Sequence, residues 1–138
     1  MAGLVTELNK PASYYCSVGV SASGSVPINF DSKEFDDDNM VATSASVWKW
    51  TAKNTGLAEV VFNGYSTSSA NFDVYKNGIY HKPLIYSISS SNSMTGICKV
   101  KVVPTDFIDI RPSGSVTVQG GSLNSHNTSS VVISMVNY

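Results

Sequence analysis

Three consecutive aspartates, Asp36, Asp37 and Asp38, are followed by Asn39 and form the most obvious group of metal-ligating side chains in the sequence. Carboxylate and amide oxygens are the ligands that calcium takes in proteins. Consecutive loop residues cannot all face one ion, and the every-other-residue spacing of a dedicated calcium loop is absent. A solvated loop is therefore the favoured interpretation. The alternative is a calcium ion, which copies of the chain around a threefold axis could share.

Exposed aromatic side chains are the second candidate group, because a flat ring can stack on a sugar. Tyr65, Tyr75 and Tyr80 fall near the predicted ends of strands, which makes them ligand candidates together with His81. A surface-loop histidine is the competing interpretation for His81, and it is also our expectation for His126.

Covalent and cofactor chemistry has no support in the sequence. A nucleophile needs a neighbouring base, yet the chain has neither a GxSxG elbow nor a Cys-His pairing, and no GxGxxG or P-loop is present. We therefore expect no enzyme activity and no cofactor. Cys16 and Cys98 lie in apolar strand-like contexts, so they are predicted to be buried thiols, with a disulfide between them as the alternative.

Length, charge and hydrophobicity limit the classes of partner that the chain is expected to bind. The 138 residues suit one domain, and the net charge of −1, with only 14% charged residues, argues against nucleic-acid binding. No window approaches 18 apolar residues, and the first ten residues lack a cationic start followed by an apolar run. We therefore expect neither a membrane span nor an export signal.

Strand and turn signals recur every 8–12 residues, and no stretch has a convincing helical period, which predicts an all-β fold. Residues 47–78 show the pattern best: three alternating runs end at Asn77-Gly78, a strong hairpin signal. The expected architecture is an antiparallel two-sheet jelly-roll sandwich of about nine or ten strands, spanning residues 13–138 behind an N-terminal arm, residues 1–12.

Individual strands can also be assigned. Residues 31–39 are predicted to be an acidic loop with Phe35 tucked inward, and Pro83 is expected to separate 79–82 from a strand at 84–88. Residues 131–138 are apolar on both faces, which predicts a central strand covered on both sides. Further strands are predicted at 14–20, 47–51, 57–65, 71–75, 96–103, 107–111 and 115–119.

The order of these landmarks resembles the jelly roll of the tumour-necrosis-factor-like cytokines and of the globular heads of complement and collagen-associated trimers. The resemblance runs from about Pro27 to Tyr138 and is carried by "PINFD", "EFDDDN", "TAKNTG", "VYKNG", "TDFIDI" and "SSVVISMVNY". It departs where Ala58 and Val60 replace the usual aromatics, where Thr105-Asp106 replaces Gly-Asp, and where no Gly-X-Y stalk precedes the domain.

The resemblance implies a homotrimer packed through the sheet that contains the first and last strands. The residues expected at that interface are Tyr15, Trp48, Trp50, Val132, Val136 and Tyr138. The tryptophans share one face of a strand around Lys49, so burial in the core is the other interpretation for them.

These observations lead to a functional hypothesis. The chain is expected to be a non-enzymatic trimeric surface protein of a virion, made in the host cytoplasm, and most plausibly a phage capsid decoration or spike. Its arm would attach it to a capsid or other virion protein. The alternative is a carbohydrate- or receptor-binding adhesion module on the same fold.

Overall fold

A computed structural model describes residues 9–44, 47–88, 93–123, 125 and 127–136. Those residues form twelve β-strands and contain no helix, so none is long and apolar enough to cross a membrane. The strands are β1 (Ala12–Tyr15), β2 (Val20–Ala22), β3 (Ser32–Asp36), β4 (Val41–Ala42), β5 (Lys49–Thr51), β6 (Gly56–Tyr65), β7 (Ala70–Lys76), β8 (Ile79–Ile88), β9 (Ser93–Val102), β10 (Phe107–Pro112), β11 (Val116–Val118) and β12 (Ser130–Val136).

Ten of the strands form two five-stranded antiparallel sheets, and β11 and β2 form a short ribbon. The sheet that holds the first and last strands, in the order β3-β1-β12-β6-β9, is called the terminal sheet below. The opposite sheet has the order β4-β5-β10-β7-β8. This arrangement confirms the predicted all-β antiparallel jelly roll. The strand count exceeds the prediction partly because residues 14–20, expected as one strand, contribute to two.

Side chains that alternate along the long strands fill the space between the sheets. On β6, Ala58, Val60 and Phe62 are fully buried, while the residues between them are half-buried. The ring of Phe62 meets Phe30 and Phe72 at centroid distances of 5.9 and 5.2 Å, which joins both sheets in one aromatic cluster. Burial of this apolar surface is the main stabilising contribution to the fold.

The last strand lies where its composition predicted. β12 pairs with β1 on one side and with β6 on the other, so it is central in the terminal sheet. Val131, Ile133 and Met135 face the core, and Val132 and Val136 lie on the outer face half-buried. The prediction of a central strand is confirmed. Residues 137 and 138, including Tyr138 of the predicted interface, lie outside the described residues.

The prediction of a loop over residues 31–39 holds for 37–39, which form a turn, but it was wrong for 32–36. Ser32–Asp36 is strand β3, and Phe35 lies opposite Ser13 on the outer face with 40% of its surface exposed. Asp36 is buried instead, because its carboxylate accepts hydrogen bonds from the Tyr14 hydroxyl, at 2.9 Å, and from two backbone amides of the following turn. Those three donors outweigh the desolvation of the carboxylate.

The Asn77-Gly78 turn is confirmed, since both residues take positive φ values, 55° and 81°. Pro83 does not end a strand as expected. β8 runs through it, because β8 is an edge strand whose pairing with β7 is irregular there, and an edge position tolerates the missing amide. β1 begins at Ala12; residues 1–8 of the predicted arm lie outside the described residues.

Candidate functional site

The two outer sheet faces carry the candidate surfaces, and Trp48 and Trp50 belong to neither. The tryptophans are 1% and 0% exposed, and Trp48 packs against Phe30 at a centroid distance of 4.9 Å. Side chains enclosed within one chain cannot contact another copy. Their assignment to a trimer interface was therefore wrong, and the alternative, the core, is what the structure shows.

A row of five paired side chains crosses the whole outer face of the terminal sheet. Ser13 of β1 is opposite Phe35 on one side and Val132 on the other; Val132 is opposite Val61, and Val61 is opposite Ile97. Four of the five are apolar, and Ile97 is 61% exposed. We call this set the apolar row. Ser13 is only 3% exposed and donates a hydrogen bond to Glu34, so Val132, Val61 and Ile97 form the continuous part of this surface.

Further residues extend the apolar row along the strands. Val136 is opposite Leu57 on the same face, and Tyr15, opposite Ser130, lies toward the other end. Tyr15, Val132 and Val136 of the predicted interface are thus on one surface. Between the row and Val136, Glu59 is opposite Lys99, so one pair of opposite charges interrupts the apolar surface.

A second exposed apolar group lies at the edge where β8 and β9 come together. Tyr86 of β8 is 79% exposed, and Met94 of β9 is exposed as well. Single exposed apolar residues are ordinary on protein surfaces, but here the backbone of β8 at Leu84 lies close to Gly96, which precedes Ile97 of the apolar row. The molecule therefore has two adjacent apolar surfaces that differ in shape: a sheet face and a sheet edge.

The outer face of the opposite sheet is charged and aromatic. Arg111 donates from Nε and Nη2 to the two carboxylate oxygens of Asp109, at 2.9 and 3.2 Å, and its guanidinium lies 4.4 Å from the ring centroid of Tyr75. Tyr75 in turn meets Tyr80 edge to face at 6.1 Å. Lys49 places its ammonium 4.5 Å from the ring centroid of Phe107. Both cations therefore make cation–π contacts.

Asp109 is 3% exposed although it belongs to the outer face. Burial raises the pKa of its carboxyl, while the hydrogen bonds and charge of Arg111 act in the opposite direction. A carboxyl group with a raised pKa beside an arginine is more common at functional sites than elsewhere.

A cavity of about 220 Å³ opens beside this ion pair. Lys49, Phe107, Asp109 and Arg111 line it from the sheet, and Trp48 borders it from the core. The buried indole Nε1 of Trp48 has no hydrogen-bond partner among the described residues. We call this cavity the Lys49 pocket.

The predicted ligand residues are only partly brought together. Tyr75 and Tyr80 are in contact, whereas Tyr65 borders a different, polar cavity of about 360 Å³ on the terminal sheet, together with Asn63, Thr95 and Ser130. His81 follows Tyr80 on β8 and is exposed. Desolvation, followed by Lys76 and Lys82, lowers the pKa of its imidazole. His126 lies outside the described residues.

The three aspartates serve different purposes. Asp36 is engaged with Tyr14 and its own turn, Asp37 is exposed, and Asp38 accepts hydrogen bonds from the backbone amide of Lys10, at 2.7 Å, and from Asn9. Within the described part of one chain, no three such side chains are grouped to hold a metal ion. A calcium ion shared between copies stays a prediction.

The cysteines are free thiols. Cys16 is buried, and burial, with a smaller contribution from Asp31, raises its pKa to about 12; Cys98 is partly buried against the core, as predicted, and burial raises its pKa too. Raised values keep both protonated and unreactive at neutral pH. The prediction of free thiols over a disulfide is confirmed, and the predicted burial is complete for Cys16 and partial for Cys98.

The sequence did not reveal the charged residues of the opposite sheet. Alternation along β10 correctly placed Phe107 and Asp109 on one face, but it gave no reason to connect them with Lys49. Only the pairing of β10 with β5 and β7 brings these residues together. The signal available in the sequence was the presence of three charged residues, a lysine, an aspartate and an arginine, within otherwise hydrophobic strands.

No protein-family model matches the sequence, and no curated protein matches it. Solved structures do resemble the fold. The globular domain of the zebrafish complement 1qA protein has a TM-score of 0.69 at 15% identity, over 94% of this chain and 98% of that one. Eiger TNF from S. frugiperda gives 0.67 at 10% identity, over 96% of both chains.

Murine APRIL gives a TM-score of 0.60 at 13% identity, over 91% of this chain and all of that one. Identities this low establish the fold alone. The chain has the TNF-like jelly-roll fold, as the sequence landmarks indicated.

Proposed function

We propose that the protein is a non-enzymatic, homotrimeric binding module whose subunits pack through the outer face of the terminal sheet. The observation that carries the proposal is the apolar row, which spans all five strands of that face. The resemblance to trimeric heads supports the same face, because it implies packing through the sheet with the first and last strands.

In a threefold ring each subunit uses two different surfaces, and the first surface of one copy contacts the second surface of the next. One is the face of the terminal sheet, with Val61 and Val132, and the other is the edge where β9, with Ile97 and Met94, meets β8 of the opposite sheet, with Tyr86. In a closed ring the edge of one copy covers the face of the next, so neither apolar surface remains in water. Tyr86 would supply the large aromatic side chain that interface centres favour.

The pair formed by Glu59 and Lys99 limits how the copies can be placed. Glu59 and Lys99 are neighbours across the strands, and charges inside an interface need partners, so only an arrangement that gives each an opposite charge avoids an uncompensated desolvation cost. The pair would therefore fix the register of the subunits and contribute little to the affinity.

The finer proposal is that this trimer belongs to the surface of a virion, as a phage head decoration or spike, and that residues 1–12 attach it to a capsid protein. Asn9 and Lys10, the first two described residues of that segment, are held against Asp38. This contact would fix the point where the arm leaves the domain. Deleting residues 1–8 should abolish binding to purified particles while the trimer persists; binding that persists would contradict the attachment role.

The trimer itself is tested by placing a charge in the apolar row. Val132→Asp should yield folded monomers, because each copy would bury an unpaired carboxylate at the interface. The matched control is Val103→Asp, at an exposed valine in the turn before β10. Native mass spectrometry and circular dichroism give assembly and folding separately. A Val132→Asp protein that stays trimeric, or a control that dissociates equally, would refute this interface.

A further inference from the structure

The Lys49 pocket has the features of a small binding site on the side of the molecule opposite the proposed interface. Its floor is rigid, because Arg111 is held by both oxygens of Asp109, by the Gly24 carbonyl at 3.3 Å and by the ring of Tyr75. Groups fixed in this way need no reordering when a ligand arrives, which favours binding.

The charges of the pocket select the ligand. Two cations, Lys49 and Arg111, stand against one carboxylate, Asp109, so the lining carries one uncompensated positive charge. Arg111 is already paired. The ammonium of Lys49 contacts the Phe107 ring and has no hydrogen-bond or ion-pair partner among the described residues. The free cation is therefore Lys49, and it would take an anionic group.

The remaining polar atoms suit hydroxyl groups. A carboxylate accepts about two hydrogen bonds per oxygen, and each oxygen of Asp109 is engaged once, by Arg111. The ring of Trp48 borders the pocket, and its indole N–H is buried without a partner among the described residues. A ligand that offers hydroxyls as well as an anion can donate to Asp109 and bind Lys49, whereas a simple carboxylate has no hydroxyl to donate.

The size of the pocket limits the ligand to one ring. About 220 Å³ corresponds to roughly seven water molecules at about 30 Å³ each, which is room for a single sugar ring and not for an extended peptide. Tyr80, more than half exposed beside Tyr75, offers an aromatic edge to whatever continues beyond that ring.

We propose that the Lys49 pocket binds one acidic sugar residue, of the uronic or sialic acid class, with its carboxylate on Lys49, its hydroxyls toward Asp109 and its ring beside Trp48. This proposal rests on the protein being a binding module but not on its being a trimer, since the pocket and the apolar row lie on opposite sheets. An oligomer with three copies would present three such pockets and gain avidity for a multivalent glycan.

The two tryptophans provide the readout, because each indole N–H gives one resonance in an ¹⁵N correlation spectrum and the sequence has only two. Methyl β-glucuronide should shift the Trp48 resonance saturably and leave Trp50, which does not border the pocket, in place. Methyl β-glucoside, which lacks the carboxylate, should bind at least tenfold more weakly. N-acetylneuraminic acid, run in parallel, separates sialic from uronic acids. Trp48→Phe assigns the resonance.

Lys49→Gln should weaken binding of the preferred acid at least tenfold without changing the fold or the mass in solution. Lys33→Gln, at an exposed lysine of the terminal sheet, is the matched control and should bind as the wild type does. The proposal is overturned if neither acid moves the Trp48 resonance, if the neutral glucoside binds as tightly as the acid, or if Lys49→Gln binds normally. A monomeric wild type that passes these tests would refute the proposed trimer and leave the pocket intact.

Discussion

The outer faces of the two sheets are built on the same alternation but present different chemistry. On the terminal sheet, neighbouring strands place Val132, Val61 and Ile97 side by side, so apolar area accumulates across the sheet. On the opposite sheet, β10 and β7 place Asp109 beside Tyr75, and Arg111 covers both. A face made of matched apolar pairs suits another protein surface, and one made of charges over rings suits a small polar ligand.

The comparison shows that cross-strand register, more than composition, determines which side chains lie together on each outer face and what that face can bind. Both faces contain tyrosines and charged residues, and the strands of both sheets alternate inner and outer side chains. A shift of one residue in any pairing would exchange inner and outer side chains and destroy both surfaces.

The largest expected loss of stability comes from a substitution in the hydrophobic core between the two sheets. Phe62→Ala should lower the free energy of unfolding by about 4 kcal/mol, since it leaves a cavity among rings from both sheets. Chemical denaturation would measure the loss. Val103→Ala, at an exposed position, should change stability by less than about 0.5 kcal/mol. A loss below about 1 kcal/mol for Phe62→Ala would mean that the two sheets do not share one core.

The ion pair of the opposite face should come next. Arg111→Leu removes the counter-charge of a buried carboxylate, and we expect a loss of about 3 kcal/mol at neutral pH. Asp109→Asn in the same background should restore part of it, because an amide carries no charge to desolvate. An Arg111→Leu protein as stable as the wild type would show that the pair is not buried in solution.

The stability lost in Arg111→Leu should depend on pH, and the direction of that dependence tests whether Asp109 causes the loss. Burial already raises the pKa of Asp109, and losing Arg111 raises it further. A carboxyl with a raised folded pKa binds a proton more readily in the native state, so its stability contribution is full below the unfolded pKa and is lost as pH rises through the folded pKa. The deficit relative to wild type should therefore shrink in acid. Asp38 and Asp106, whose pKa values are lowered, contribute equally to both proteins. A constant deficit would contradict the assignment to Asp109.

The smallest effect should come from the polar contact beneath the terminal sheet. Tyr14→Phe removes a hydroxyl that donates to Asp36 at 2.9 Å, and should cost about 1 kcal/mol, because two backbone amides still satisfy the carboxylate. The control is Tyr15→Phe, whose hydroxyl has no partner in the described parts of the chain. Thermal unfolding at neutral pH distinguishes the two. Equal losses of stability would show that the hydrogen bond from Tyr14 to Asp36 contributes no more than a hydroxyl without a partner.

The sequence predicted what alternation and turn chemistry determine: the fold class, the Asn77-Gly78 hairpin and the central position of the last strand. It placed Trp48 and Trp50 on a common face correctly. It could not say which face is inside, because a period of two is the same for both. Asp36 was missed for a related reason, since its burial depends on Tyr14, 22 positions away. The Lys49 pocket likewise depends on strand pairings that leave no local signal.

The most direct test of the central claim, that copies of this chain cover the apolar row, is the mass of the wild-type protein in solution. Light scattering coupled to size-exclusion chromatography, over a dilution series into the micromolar range, should give three times the 14.7 kDa mass of the chain. A mass of one chain throughout that range would contradict the account and leave Val132, Val61 and Ile97 without the cover proposed for them.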